Sequence, residues 1–225
     1  PAEDLLKYDK APLVDRLVAG WLFQISQPVA DPAQQEPLIE LLTSLAQDPQ
    51  TAVSRLALQS LLELQPQTLV DQADRWGQSR DPMIRQLAAQ ALLRTVKPQP
   101  DHLGKVVTVL NDAELDVRRT VAEGIKDLAQ QADMRTIFVD LLSKELDRGD
   151  EFWRSQEQAI ILLVELNHGP AAPQMAALLE AREAEVFATA AWGLRRLKAV
   201  DQLPAMNQRA SQLVALLEET LPKES

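Results

Sequence analysis

Residues 81–94 read DPMIRQLAAQALLR, and weaker copies of this phrase recur along the chain. Its first apolar residue, Ile84, has counterparts at Val14, Val53, Val117, Trp153 and Val186, spaced 31 to 39 residues apart. Four residues after each anchor stand Val18, Ala57, Ala88, Val121, Glu157 and Ala190. Seven residues after come mostly small side chains: Trp21, Ser60, Ala91, Gly124, Ile160 and Gly193. Eight residues after come Leu22, Leu61, Leu92, Ile125, Ile161 and Leu194. Such positions share one helical face. A period of this length is the mark of stacked helical hairpins. One hairpin cannot cover its own apolar stripe, so the next must. Glu157 breaks the pattern, so the fifth unit is expected to be degenerate or shifted in register.

Proline punctuates the gaps. There are 14, and none is expected inside a helix, because an interior proline removes a backbone donor and clashes with the preceding turn. Pro37, Pro49, Pro66, Pro82, Pro98, Pro100, Pro170 and Pro204 fall where one periodic segment yields to another. Asp48-Pro49 and Asp81-Pro82 read as N-caps followed by proline in the first helical turn. First helices are expected near 3–9, 37–47, 67–78, 101–110, 133–147 and 171–182. Second helices are expected near 12–26, 51–64, 83–95, 115–129, 152–167 and 185–198. A closing helix is expected near 204–220. Residues 26–36 form the longest connection. The expected fold is all-α: an α-α superhelix of about six hairpins with a C-terminal capping helix. It runs as one array over residues 1–225, with units near 1–27, 37–65, 66–97, 100–130, 133–168 and 170–199 and a cap over 203–221.

Composition narrows the function. Hydrophobic residues are 46% but aromatics only 4%, so the core is aliphatic and favours helices. The net charge of -10 repels phosphate backbones, so nucleic acid is not an expected partner. With no cysteine, disulfides, thiolate metal sites and cysteine nucleophiles are excluded. The longest apolar run, residues 159–164, is far short of the roughly 20 residues of a membrane span. Pro1 in place of methionine fits a processed product or a piece of a larger chain. The cytoplasm is the default expectation, with a processed exported protein as the alternative.

The second helices resemble HEAT repeats of the short type also seen in phycobilisome-lyase-like proteins. The resemblance rests on Asp81-Pro82-Met83-Ile84-Arg85 with Ala88-Ala89 and Ala91-Leu92. It recurs at Asp116-Val117-Arg118 with Ala122 and Gly124-Ile125, and at Val186 with Ala190-Ala191 and Gly193-Leu194. It covers nearly the whole chain. It implies an Asp–Arg ladder between repeats, with Arg85, Arg118 and Arg154 in the arginine slot and Ser54 and Phe187 interrupting it. It also implies that the second helices line the concave side. The terminal units are expected to be atypical, Trp21 and the apolar side of the last helix (Met206, Leu213, Leu216, Leu217) being their signs.

No catalytic motif is present: there is no glycine-rich phosphate loop and no nucleophile elbow. The two histidines, His102 and His168, are read as solvated rather than metal-bound. No catalytic residue, metal or cofactor is therefore expected. Positions two and six residues after each anchor point away from the buried stripe. They give one row of Arg16, Arg55, Gln86, Arg119, Ser155 and Ala188, and another of Gly20, Gln59, Gln90, Glu123, Ala159 and Trp192. The candidate binding residues are Arg16, Arg55, Gln59, Gln86, Gln90, Arg119 and Trp192. The arginines suit an extended acidic segment, and an exposed tryptophan suits an interface anchor. Trp153 is expected in the core. The leading expectation is a non-enzymatic scaffold that binds a protein partner on its concave face. The alternatives are a phycobilisome-lyase-like enzyme or chromophore handler and, behind it, nucleic-acid processing.

Overall fold

The computed structural model describes Pro12, residues 32–97 and residues 100–220. The described chain is all-α, with twelve α-helices and no strand. It divides into two compact units, residues 1–97 and 98–225.

In the first unit, α1 (Pro32–Leu45), α2 (Thr51–Leu64), α3 (Pro66–Val70), α4 (Ala73–Gly77) and α5 (Pro82–Thr95) form two helical layers. The second helices α2 and α5 lie side by side, α1 packs on α2, and α3 and α4 pack on α5. The anchor stripe is buried as its spacing requires: Val53, Ala57, Ser60 and Leu61 in α2, and Ile84, Ala88, Ala91 and Leu92 in α5. Leu41, Leu42 and Leu45 of α1 and Leu69 and Trp76 complete this core. Fully burying one such leucine contributes about 1.5–3 kcal/mol.

Three local expectations change here. Pro37 sits inside α1, which starts at Pro32 and not at residue 37. Its ring nitrogen removes one intrahelical hydrogen bond near the helix start. The helix expected over 67–78 is two short ones, α3 and α4, broken at Asp71 and Gln72. Asp48 does not cap α2. The N-cap is Gln50, and the Asp48 carboxylate accepts from the Gln50 N–H at 2.8 Å, closing the turn before it. Asp81 does cap α5, accepting from the Met83 N–H at 2.9 Å, with Pro82 in the first turn.

In the second unit, α6 (Pro100–Thr108) and α7 (Leu115–Leu128) form one hairpin and α8 (Ala132–Leu146) and α9 (Trp153–Glu165) the next. Then follow α10 (Ala172–Ala177), α11 (Ala184–Arg196) and α12 (Leu203–Thr220). α9 packs on α7, α8 and α11, and α10 packs on α11. Gly193 permits the close approach of α11 to α9. A Cβ there would lie 2.9 Å from Ile160 Cγ2 and 3.2 Å from both Val164 Cγ2 and Met175 Sδ. α9 and α11 each end on a residue with positive φ, Asn167 at 51° and Lys198 at 55°. The next N–H then turns back onto the helix, from His168 to the Leu163 carbonyl and from Ala199 to that of Leu194, a Schellman closure.

The fifth unit is shifted by two residues. Ser155, Gln156, Ala159, Leu162 and Leu163 are buried, whereas Trp153 and Glu157 are only half-buried. Ser155 is therefore the anchor, and Trp153, expected in the core, carries Arg154 over its ring at 4.3 Å. Ser155 and Ala159, expected on the outward rows, are internal. The shift keeps the Glu157 carboxylate out of the core and brings the Gln156 amide onto the Arg148 and Leu146 carbonyls at 2.7 and 3.4 Å.

The last helix covers the end of the stack only in its first half. Met206, Arg209 and Leu213 are half-buried, and Val214, Leu216 and Leu217 are exposed. Arg209 pins it, reaching Glu180 at 3.1 Å and lying 5.6 Å over the Phe187 ring. No helix among the described residues is long and apolar enough to cross a membrane.

Candidate functional site

The outward rows of α2 and α5 meet in one groove. Arg55 and Gln59 of α2 face Gln86 and Gln90 of α5, and Ala52, Leu56, Met83 and Leu87 line the same groove of about 440 Å³. Four of the seven expected binding residues are thus brought together. Their convergence follows from the repeat itself. Equivalent positions of successive second helices lie at the same height when those helices run parallel. Two ion pairs show that they do. At the N-terminal ends Arg55 Nη2 lies 2.6 Å from Asp81 Oδ2. At the C-terminal ends Arg94 Nη2 lies 2.8 Å from Glu63 Oε1. Arg94 Nη1 also donates to the Leu62 carbonyl at 3.1 Å.

The arginine that meets Asp81 sits one position later than the slot the resemblance implied for Arg85, Arg118 and Arg154. Asp81 receives Arg55, two residues after the anchor of the preceding repeat, with Nε donating to Oδ2 at 2.6 Å and Nη2 lying 2.6 Å from the same oxygen. Ser54, Arg85 and Arg118, each one residue after its anchor, serve the turns of their own repeats. Arg85 donates to the Ser79 carbonyl at 2.8 Å. Arg118 donates to the Asp112 and Ala113 carbonyls at 2.8 and 2.9 Å. Ser54 does the same with its hydroxyl, donating to the Ala46 carbonyl at 2.9 Å. These side chains satisfy helix-end carbonyls that have no intrahelical donor.

The groove therefore has a layered chemistry. Leu87 is buried beneath it, Leu56 is half-buried, and Met83 stands 48% exposed at its rim. Gln59 is exposed and Gln90 half-buried, each offering a donor and an acceptor on one amide. Arg55 stands 47% exposed while Asp81 keeps only 10% of its side-chain surface. Salt does little to loosen a pair whose carboxylate is so enclosed. The groove thus holds a fixed guanidinium beside apolar wall and amide rungs. Its described lining holds no nucleophile or acid–base pair.

The remaining candidates lie elsewhere. Arg119 is exposed on α7 and lies 3.6 Å from Asp116 on its own helix. Trp192 is 38% exposed on α11. Both belong to the second unit, whereas the groove residues belong to the first. Arg16 lies outside the described residues. Four groove residues lay outside the outward rows: Ala52 and Met83, one residue before their anchors, and Leu56 and Leu87, three residues after them. Met83 could have been found as an apolar residue off the buried stripe. The pKa of His168 is displaced: partial burial and then the nearby Arg135 guanidinium hold it below its ordinary value. Among the described residues no group of three or more His, Asp or Glu could hold a metal ion.

No protein-family model matches the sequence, and none of the curated proteins is similar to it. Among solved structures, a designed armadillo repeat protein is 18% identical with a TM-score of 0.45, over 88% of this chain and 100% of that one. Computationally designed armadillo repeat proteins for modular peptide recognition are 17% identical with a TM-score of 0.44, over 87% of this chain and 98% of theirs. At that identity and TM-score the likeness is one of helical repetition, and the site stands on its own residues.

Proposed function

We propose that the protein is a non-enzymatic binding scaffold that takes an extended segment of a partner protein across the outward face of its second helices. The observation that carries this is the convergence of Arg55, Gln59, Gln86 and Gln90, from two successive repeats, on one groove. A surface that only needed solubility would not set two amide-bearing positions in register beside apolar wall. An extended segment presents main-chain N–H and C=O groups in alternation, and glutamine amides match both. Leu56 and Met83 supply the apolar part of the interaction, and the fixed orientation of Arg55 lowers the ordering cost of binding.

The test is a captured partner mapped to this groove. Wild-type protein would be compared with an Ala52→Trp, Gln90→Ala variant in affinity capture, cross-linking and mass spectrometry. The expected result is a partner cross-linked within the groove by wild type and lost by the variant, with unchanged helicity. A partner held equally by both would place binding elsewhere and overturn the reading.

A further inference from the structure

The geometry of Arg55 points to a second carboxylate, one that arrives with the ligand. We infer that the groove selects an extended segment carrying an aspartate or glutamate, seated on the unused edge of the Arg55 guanidinium. This rests on the scaffold reading and specifies the chemistry of its partner. A guanidinium has five N–H donors in one plane. Asp81 Oδ2 accepts from Nε at 2.6 Å and lies 2.6 Å from Nη2, and so occupies the side edge of that plane. The end edge, formed by Nη1 and the outer hydrogen of Nη2, is the one that takes a carboxylate in a two-bonded fork. Among the described residues Asp81 is the bonded partner of Arg55. The side chain stays 47% exposed in the wall of a groove of about 440 Å³.

Asp81 sets the direction of the guanidinium without competing for the end edge. Its other oxygen is engaged by the Met83 N–H, and little of its side chain reaches solvent. Among the described residues lining the groove, Arg55 is the one that is formally charged. Asp81 already balances that charge, so the seat recognises a ligand carboxylate through the fork geometry of the end edge rather than through net charge. The ligand's main chain then runs over Gln59 and Gln90, and an apolar side chain near the acid meets Leu56 or Met83.

A positional-scanning library of acetylated, amidated hexapeptides tests this. It would be applied to the wild-type chain, to Arg55→Lys, and to Arg55→Gln paired with Asp81→Asn. The pair removes both charges together, so that no carboxylate is left buried alone, and circular dichroism checks its fold. The expected result is selection of Asp or Glu at one position by wild type. Exchange of that acid for its amide weakens Kd at least tenfold. The preference is reduced in Arg55→Lys, which keeps the charge without the fork, and lost in the double variant. Selection of peptides without an acidic position, or with a preference that survives the double variant, overturns the carboxylate seat and leaves the scaffold reading standing. Retention of no peptide at all overturns the seat as well. The scaffold reading then rests on whether the Ala52→Trp, Gln90→Ala variant loses its cross-linked partner.

Discussion

Arg55 and Asp81 join two repeats through a single oxygen: Nε of the arginine donates to Oδ2 of the aspartate at 2.6 Å, and Nη2 lies 2.6 Å from the same atom. The other carboxylate oxygen caps α5 by accepting from the Met83 N–H. One side chain thus starts a helix and ties it to its neighbour. Asp81→Ala should remove both roles and lower stability by about 1–2 kcal/mol, the usual cost of a lost cap. Asp81→Asn keeps the cap and loses the charge, so it should fall between the two. Urea unfolding of the three proteins measures this, and equal loss in both variants would show that the ion pair matters more than the cap.

The hairpin period, the buried stripe and the α5 cap were legible in sequence because each is local. Ile84, Ala88, Ala91 and Leu92 sit on one face by helical geometry alone. The pairing of Arg55 with Asp81 was not legible, because it depends on how far one repeat slides past the next. Several arginines compete for each aspartate within that range. The groove was half legible. Gln59 and Gln90 follow from outward positions, but only the parallel alignment of α2 and α5 puts them opposite one another. The fifth repeat misled because Trp153 is a better apolar anchor than Ser155 in sequence. The decisive residue was Glu157, whose carboxylate has no partner in a core and so forces the shift.

Gln156 makes that shift testable. It is buried, and its amide donates to the Arg148 and Leu146 carbonyls. Gln156→Leu fills the space but supplies no donor, so the carbonyls at the end of α8 lose their partner. The expected cost is about 1–3 kcal/mol, that of a buried polar group left unsatisfied. Trp153→Ala, at the position sequence reading placed in the core, should cost less than the roughly 3–5 kcal/mol of a fully buried tryptophan. Chemical unfolding of both variants decides which register is right, since a core Trp153 would cost the full roughly 3–5 kcal/mol.

Gly193 should tolerate no added methyl. Gly193→Ala places a Cβ 2.9 Å from Ile160 Cγ2, and the gain in helix propensity, about 1 kcal/mol, works against that overlap. Overpacking of this kind costs about 1–3 kcal/mol. Ile160→Ala removes the opposing methyl, so the double variant should be less unstable than the two single losses added together. Strict additivity in a double-mutant cycle would mean that the two side chains do not meet.

Lys198 ends α11 in the left-handed region at φ 55°, where a side chain crowds the backbone and glycine does not. Lys198→Gly should therefore stabilise the protein, by about 1 kcal/mol, by relieving strain in a closure that the Ala199 N–H to Leu194 carbonyl bond already holds. Asn167→Gly at the end of α9 should gain less, because asparagine adopts this conformation more readily than lysine. A rise in thermal midpoint for Lys198→Gly, larger than that for Asn167→Gly, is the expected outcome. A fall in either would show that the glycine's extra freedom in the unfolded chain outweighs the relieved strain.

Acid should loosen the chain beside that α9 closure. Burial, and then Arg135, hold the His168 pKa below its ordinary 6.5 in the fold, so the unfolded chain binds the proton more readily. The stability this group contributes is complete above the unfolded value and is lost as pH falls through the lower, folded one. His168→Gln has no such proton to take up. Its urea midpoint should change less than that of wild type between pH 7.5 and pH 5, once both are measured at one ionic strength. Arg135→Gln, which removes the charge and leaves the burial, should recover only the smaller part of the difference. Matching pH profiles for wild type and His168→Gln would assign any acid sensitivity to the carboxylates instead.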